Sequence, residues 1–145
     1  MKVSVIVPTY NSSSTLHRTI ASLKAQTLEG CEFIFIDDFS SDNTVEIAKS
    51  LIGVDARFTI VSQPHRTDPF QARQRGISLA KGEYIMFLDA DDEFSITACE
   101  IAYKTITEKK IQDIRRILGQ NQEIHFELGL ESANEDVRSI YNKDI

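Results

Sequence analysis

Three carboxylates, Asp89, Asp91 and Asp92, come directly after an apolar run at residues 84–88. Such a run predicts a buried strand, and open α/β sheets bind their ligands at the carboxyl ends of their strands. Because Asp89 and Asp91 are two residues apart, both side chains can point to one side, and the small Ala90 between them lets a ligand approach. Paired carboxylates are ligands that Mg²⁺ and Mn²⁺ prefer. The alternative is a purely structural role in a turn or a helix cap.

Length and composition set limits on the kind of protein. The chain has 145 residues, 41% of them hydrophobic, which is enough for one domain with a core, and its net charge of -6 argues against a nucleic-acid surface. Cys31 and Cys99 are too few and too far apart in sequence for a disulfide framework or a CxxC metal site. No apolar run approaches the roughly 20 residues of a membrane span, and no signal sequence follows Met1. We expect a cytoplasmic protein, with peripheral membrane attachment through other segments left open.

Strand and helix patterns alternate along the chain. β-branched and aromatic residues predict strands at residues 3–7, 33–36, 58–61 and 84–88. Apolar residues at helical spacing predict helices that carry Leu16, Ile20 and Leu23, then Val45, Ala48 and Leu51, and a third helix around residues 72–80. Polar residues at 11–14 and 40–42 are expected to cap the first two helices, and Pro8 to end the first strand. This order predicts an α/β fold with a mostly parallel sheet and helices on both faces.

Residues that follow the first, second and fourth strands meet at one edge of such a sheet. The first turn has neither the GxGxxG pattern of dinucleotide-binding proteins nor a P-loop, so both classes are disfavoured. The edge instead offers the ring of Tyr10, the carboxylates of Asp37 and Asp38, the guanidinium groups of Arg73 and Arg75, and the acidic pair described above. A nucleobase, a ribose and a metal-bound diphosphate would use these groups.

Four stretches of the sequence carry a family resemblance. Residues 3–11, 36–44, 72–76 and 82–92 resemble, in order, the successive motifs of family 2 glycosyltransferases with the GT-A fold. The resemblance covers about the first 95 residues. It implies a Rossmann-like GT-A core and inverting transfer of a sugar from a nucleotide donor, most often a UDP-sugar, to a saccharide or similar acceptor, as in polysaccharide biosynthesis.

The resemblance also implies roles for individual residues. Asp89, Ala90 and Asp91 correspond to the DXD motif, so Asp89 and Asp91 would bind Mn²⁺ or Mg²⁺. The residues implied to bind the nucleotide are Pro8, Thr9, Tyr10, Asp37, Asp38, Arg73, Asp89 and Ala90. No residue corresponds to the catalytic base, which stays unknown.

Each implied role has a structural alternative. Tyr10 would then only cover the sheet edge, Asp38 would cap the second helix, and Arg73 would be a solvated helix residue. Two departures from the family pattern bear on the site. Phe39 stands where glycine is usual, so this turn cannot rely on an easy positive φ. Residues 69–71 replace a glycine-containing loop, which affects the expected donor-sugar contacts.

The family pattern fades after residue 95, and we divide the chain there into a nucleotide-sugar-binding core, 1–95, and a tail, 96–145. A helical apolar stripe is expected to pack the tail on the same domain, with members Ile96, Cys99, Tyr103, Ile106, Ile111, Ile114 and Leu118. Residues 123–143 are typical of a strand, a turn and a helix, and faintly resemble a radical-SAM unit, but the chain has no CxxxCxxC trio to hold an iron-sulfur cluster.

The expected function is therefore a glycosyltransferase or its donor-binding part. Only 53 residues follow Asp92 and the chain has no tryptophan, so the acceptor half is expected to be incomplete and transfer to be inefficient. The alternative is a nucleotide-sugar-binding module without transfer activity. A phosphohydrolase of the DxD type is disfavoured because its acidic pair would follow the first strand, which here leads into Pro8 and Thr9.

Overall fold

The computed structural model describes the backbone of residues 1–120 and the side chains of residues 1–116. Strands and helices alternate as β1 Val3–Thr9, α1 Leu16–Lys24, β2 Cys31–Asp37, α2 Thr44–Ile52, β3 Phe58–Ser62, α3 Pro69–Leu79, β4 Tyr84–Phe87 and α4 Ala98–Gln120. The four strands form one sheet in the order β3-β2-β1-β4, and every neighbouring pair is parallel. The predicted α/β fold is confirmed.

The core lies on both faces of the sheet because successive strand residues point to opposite sides. On one face, Val5 and Phe33 pack with buried residues of α1 and α2 and with Cys99 at the start of α4. On the other face, Ile6 and Ile34 pack against Ala72 of α3. Helices therefore cover both faces, as the sequence predicted.

The expectation that Pro8 ends the first strand is wrong. β1 continues through Pro8, which pairs in register with Ile36, and ends at Thr9. The carbonyl of Thr9 accepts a hydrogen bond from Asp38 on the β2 side, so the nitrogen of Pro8, one residue earlier, faces the β4 side. Pairing with β4 stops at Ile6, so a proline without an N–H breaks no ladder hydrogen bond there.

Strand β4 is shorter and less buried than its apolar sequence predicts. It alternates between half-buried and exposed residues, and the side chains of Ile85 and Phe87 are 39% and 44% exposed. Among the described residues β4 is an edge strand, and α3 packs mainly against β1 and β2. Within the described part of the chain, one face of β4 therefore lacks the cover that a strand inside a parallel sheet has.

The helix caps differ from those expected. Thr15 precedes α1, and its side chain makes no capping hydrogen bond. The residue before α2 is Asn43, although Asp42 accepts a hydrogen bond from the backbone of Thr44. In α2 the buried residue near the end is Ile52, and the predicted Leu51 is 37% exposed. Helix α3 begins earlier than predicted because Asp68 caps it and Pro69 fits its first turn.

The tail forms one long helix as far as it is described. Contacts within the chain define two compact units, Met1–Ile106 and Thr107–Ile145. In the first unit Cys99 is fully buried and Tyr103 packs on the core, whereas Ile96 and Ile106 of the predicted stripe are 58% and 42% exposed. The predicted strand and helix at 123–143 lie outside the described residues, and the boundary near residue 95 stays a prediction. Within residues 1–120, no helix has the length and apolar character required to cross a membrane.

Candidate functional site

The loops after β1, β2 and β4 meet around one open cleft at the carboxyl edge of the sheet. The volume of this cleft is about 560 Å³. The structure brings together, along its walls, nearly all of the predicted site residues: Pro8, Thr9, Tyr10, Asp38, Arg73, Asp89, Ala90 and Asp91. Asp37 does not line the cleft, because its carboxylate accepts hydrogen bonds from the backbone and hydroxyl of Ser40. Arg75 also lies outside the cleft and is exposed.

Tyr10 and Asp38 form one wall of the cleft. The register of β1 and β2 places Thr9 opposite Asp37, so the residues after each strand are neighbours, and the Asp38 amide donates to the Thr9 carbonyl at 2.8 Å. Asp38 is only 6% exposed, whereas Tyr10 is 39% exposed. The guanidinium of Arg66 lies 4.0 Å from the centre of the Tyr10 ring. An aromatic ring with Arg66 over one of its faces thus lies beside a buried carboxylate.

The carboxylate of Asp38 does not cap α2, so that structural alternative is wrong. Its Oδ1 atom accepts hydrogen bonds from the Thr67 backbone N–H at 2.8 Å and from the Thr67 hydroxyl at 2.6 Å. At the start of α2, it is the carboxylate of Asp42 that accepts hydrogen bonds from the backbone and hydroxyl of Thr44. Asp38 is therefore attached to the segment that joins β3 to α3, an element in which the sequence analysis assigned no site residue.

Arg73 and Asp89 form an ion pair that lines the same cleft. A guanidinium nitrogen of Arg73 lies 2.8 Å from the Asp89 carboxylate, and the two side chains are 36% and 57% exposed. The guanidinium also lies 6.0 Å from the ring of Phe87. Arg73 is therefore more than a solvated helix residue, because it supplies positive charge beside the carboxylates that follow β4. A smaller hollow of about 300 Å³ adjoins the cleft and shares this pair.

The backbone of the acidic loop, residues 89–92, is hydrogen-bonded to Thr15, which precedes α1, and to Thr19 within α1. The carbonyl of Ala90 accepts hydrogen bonds from the hydroxyls of Thr15 at 3.0 Å and Thr19 at 2.9 Å. The Thr19 hydroxyl lies at the same distance from the carbonyl of Asp92, so the two carbonyls share its one proton. Ala90 is 7% exposed, while Asp91 is exposed. These hydrogen bonds fix the loop through its backbone carbonyls. The carboxylates of Asp89 and Asp91 take no part in them and are exposed to solvent.

Thr15 and Thr19 are positioning residues that the sequence analysis did not single out. Thr19 is fully buried on the same helix face as Leu16 and Ile20. A polar residue inside an apolar stripe needs a hydrogen-bond partner, and here that partner is the acidic loop, so this pattern was an available signal. The identity of the partner depends on the fold, because Thr19 and Ala90 are 71 residues apart in sequence.

Hydrogen bonds also join the loop after β1 to the loop after β2. Asn11, with φ of 47°, accepts from the Ser41 amide at 2.9 Å, and the Ser12 amide donates to the Thr44 hydroxyl at 2.8 Å. The carboxylate of Asp42 accepts from Thr44 and from the Ser13 amide, and these hydrogen bonds lower its pKa to about 2. The Tyr10 wall of the cleft is thereby tied to the start of α2.

The acidic loop offers oxygen ligands but no complete metal cluster. Within the described residues, no group of three His, Cys, Asp or Glu side chains is arranged to hold an ion. Asp89 and Asp91 line the same cleft with Ala90 between them. Two carboxylates of this kind, completed by water and phosphate oxygens, are a common arrangement for Mg²⁺. The donor set therefore fits a cation that a diphosphate helps to bind.

Comparison with protein families identifies the chain. The sequence model of the protein family described as Glycosyl transferase family 2 matches residues 4–135 of this chain. The chain belongs to this family. The match continues past residue 95, where the motifs recognised in the sequence end. The α/β sheet with its βα loops at one edge is thus the GT-A core of a family 2 glycosyltransferase.

Relatives and solved structures agree with this assignment. The chain is 36% identical over 107 residues to Glycosyltransferase GlyG of Streptococcus pneumoniae, covering 74% of this chain and 36% of that protein. It is similar to residues 1–349 of S. aureus TarS in complex with UDP-GlcNAc, at 30% identity and a TM-score of 0.71, over 74% of this chain and 32% of that one. It is also similar to the mannosyltransferase PcManGT of Pyrobaculum calidifontis in complex with GDP-Man and Mn²⁺, at 25% identity and a TM-score of 0.61. This similarity covers 64% of this chain and 28% of that one. The chain spans about a third of the length of GlyG and of the TarS structure.

Proposed function

We propose that this chain binds a UDP-sugar through Mn²⁺ or Mg²⁺ and serves as the donor-binding part of an inverting glycosyltransferase that acts on a saccharide or similar acceptor. The observation that supports this most is that Tyr10, Asp38, Asp89 and Asp91 line one open cleft. An aromatic ring, a buried acceptor and an acidic pair in one cleft suit the base, the imide N–H and the metal-bound diphosphate of one ligand.

The cation is proposed at Asp89 and Asp91. A diphosphate that approaches these carboxylates without a cation meets like charge, and each close pair costs about 1 kcal/mol in water and up to about 4 kcal/mol at an effective dielectric constant near 20. A bridging divalent cation changes repulsion into attraction. Arg73, which pairs with Asp89, would add a second positive group on the diphosphate side. The mannosyltransferase structure with Mn²⁺ supports a divalent cation in a similar fold.

The nucleoside is proposed at the wall formed by Tyr10 and Asp38. Stacking of a base on an exposed aromatic ring contributes about 1–3 kcal/mol to the binding free energy, whichever base is bound. Asp38 adds selectivity, since an ionised carboxylate only accepts hydrogen bonds and therefore favours a base that places a donor, such as the uracil imide N–H, opposite it. UDP-GlcNAc in the TarS structure supports uridine, while GDP-Man in PcManGT makes guanosine the natural competitor to test.

Sugar transfer needs one more group, a base on the acceptor side. Inverting displacement removes a proton from the acceptor hydroxyl while the diphosphate leaves, and a carboxylate usually takes that proton. None of the cleft residues named above is assigned this role. The cation would stabilise the leaving diphosphate, and the residues of this chain would hold the donor with its anomeric carbon open to the acceptor.

Calorimetric titration of UDP in Mn²⁺ and in EDTA tests the proposal. We expect UDP to bind at least about tenfold more tightly with Mn²⁺, a difference of about 1.4 kcal/mol. Asp91→Asn should remove this metal dependence. Glu46→Gln is the matched control, because it also removes one carboxylate but lies exposed on α2, outside the cleft. Equal affinity in Mn²⁺ and EDTA, or normal binding by Asp91→Asn, contradicts the proposal.

A further inference from the structure

The segment between β3 and α3 reaches the base-binding wall through Thr67. Both hydrogen bonds from Thr67, one from its amide and one from its hydroxyl, end on the same oxygen of Asp38, Oδ1. Thr67 itself is fixed, because Gln63 donates to its hydroxyl at 3.4 Å and the next residue, Asp68, caps α3. The orientation of the Asp38 carboxylate is therefore set by a residue outside the β1 and β2 loops.

This arrangement leaves Asp38 with one available oxygen. A carboxylate has about two acceptor positions on each oxygen, and Thr67 uses two on Oδ1. No hydrogen bond from the described residues ends on Oδ2. Since Asp38 lines the cleft beside Tyr10 and is itself 6% exposed, a bound base meets a buried anion with a single oxygen to accept a proton donor.

The number of available oxygens distinguishes the bases by their donors. Uracil presents one imide N–H between two carbonyl groups, which matches one acceptor. Guanine presents a ring N–H and an adjacent amino group, two parallel donors that pair best with both oxygens of a carboxylate. With Oδ1 occupied, the second guanine donor would be buried without a partner, and unpaired buried polar groups are a strong source of discrimination.

We propose that Thr67 is a positioning residue that makes this site selective for uracil over guanine, by holding Oδ1 of Asp38 so that only Oδ2 receives the base. The inference rests on the proposed function, since it requires that the cleft bind a nucleoside diphosphate. It goes further by assigning base selectivity to a residue that touches neither the diphosphate nor the cation.

The test compares UDP and GDP affinities, both measured with Mn²⁺, in wild-type protein and in Thr67 variants. In Thr67→Val the hydroxyl donor is lost while the Thr67 amide still donates to Oδ1, so one acceptor position on that oxygen becomes available to the second guanine donor. The ratio of UDP to GDP affinity should then fall about tenfold, mainly through tighter GDP binding. Thr67→Ser keeps a hydroxyl and should restore the wild-type ratio. Thr59→Val is the matched control, since Thr59 is exposed on β3 and should leave the ratio unchanged. Thermal unfolding of each variant checks that it is folded, and Thr67→Ala replaces Thr67→Val if valine is not accepted.

The possible outcomes separate this inference from the proposed function. A wild-type protein that prefers UDP, together with a Thr67→Val variant that keeps the same preference, overturns the inference alone. Equal weakening of UDP and GDP also overturns it, because that is the result of a general structural role. A wild-type protein that binds neither nucleotide in Mn²⁺ overturns both proposals.

Discussion

Carboxylates at the two ends of the sheet differ in where their hydrogen bonds go. At the amino end, Oε1 of Glu32 accepts from the Ser4 hydroxyl at 2.5 Å and from the Lys81 amide at 2.6 Å, and the Ser4 oxygen accepts from the Gly82 amide at 2.7 Å. Glu32 is 9% exposed. At the carboxyl end, Asp89 has one ion pair with Arg73 and its side chain is 57% exposed.

The difference separates structural acids from acids available to a ligand. The buried Glu32 carboxylate accepts hydrogen bonds that join β1 and β2 to the turn before β4, so its contribution is to the stability of the fold. Clustered and exposed carboxylates repel one another and gain from an external cation. The amino end therefore holds the turn between α3 and β4 in place, and the carboxyl end is proposed to bind the metal and the nucleotide.

The largest expected effect is at the amino end. Glu32→Ala should lower the free energy of unfolding by about 3 kcal/mol, because it leaves the Ser4 hydroxyl and the Lys81 amide without their buried acceptor. Urea denaturation measures this change. Glu29→Ala is the control, since Glu29 is exposed, and should change stability by less than about 0.5 kcal/mol. Equal effects of the two substitutions would show that the hydrogen bonds of Glu32 contribute no more to stability than an exposed carboxylate does.

A smaller effect of opposite sign is expected at the carboxyl end. Phe39 has φ of 63° and is 56% exposed, so a bulky side chain adopts a conformation that favours glycine. Phe39→Gly should raise the free energy of unfolding by about 0.5–1 kcal/mol, the relief of about 1–2 kcal/mol of strain less the cost of a more flexible unfolded chain. The same change at Phe70, exposed on α3, should destabilise the protein because the backbone there is helical. Destabilisation by Phe39→Gly contradicts the strain argument.

The smallest effect concerns the hydrogen bonds between the two loops at the Tyr10 wall. The folded-state pKa of Asp42 is about 2 and its ordinary value is 3.8, so its contribution to stability is present above about pH 4 and is lost as the pH falls toward 2. Asp42→Asn should cost less than about 1 kcal/mol near neutral pH, since solvent screens this partly exposed group. Denaturation of both proteins from pH 6 to pH 2 should show the difference shrinking, and a constant difference would refute this account.

Much of the fold follows from local patterns in the sequence. The alternation of β-branched runs and helical stripes predicted the order of strands and helices, because each pattern depends on neighbouring residues alone. The exposed face of β4 was not predicted, since an apolar run does not reveal whether a helix packs on each face of the strand. The continuation of β1 through Pro8 was missed for the same reason, because it depends on where the pairing with β4 stops.

The site could be predicted where family motifs mark it and not where the fold alone builds it. Tyr10, Asp38 and Asp91 stand in recognised motifs, and the structure brings them to one cleft. Thr67 and Thr19 act through hydrogen bonds to residues 29 and 71 positions away, and no local pattern shows such pairings. Phe39 was recognised as a departure from the usual glycine, and the turn nevertheless adopts a positive φ.

The most direct test of the proposed ligand site counts Mn²⁺ ions bound to the chain by electron paramagnetic resonance in the presence of UDP. We predict about one ion per wild-type chain, with weaker binding when UDP is absent, because the diphosphate supplies part of the coordination. The double variant Asp89→Asn/Asp91→Asn should lose this ion, while Glu46→Gln should keep it. Undiminished Mn²⁺ binding by the double variant would contradict the account and would place the cation elsewhere in the chain.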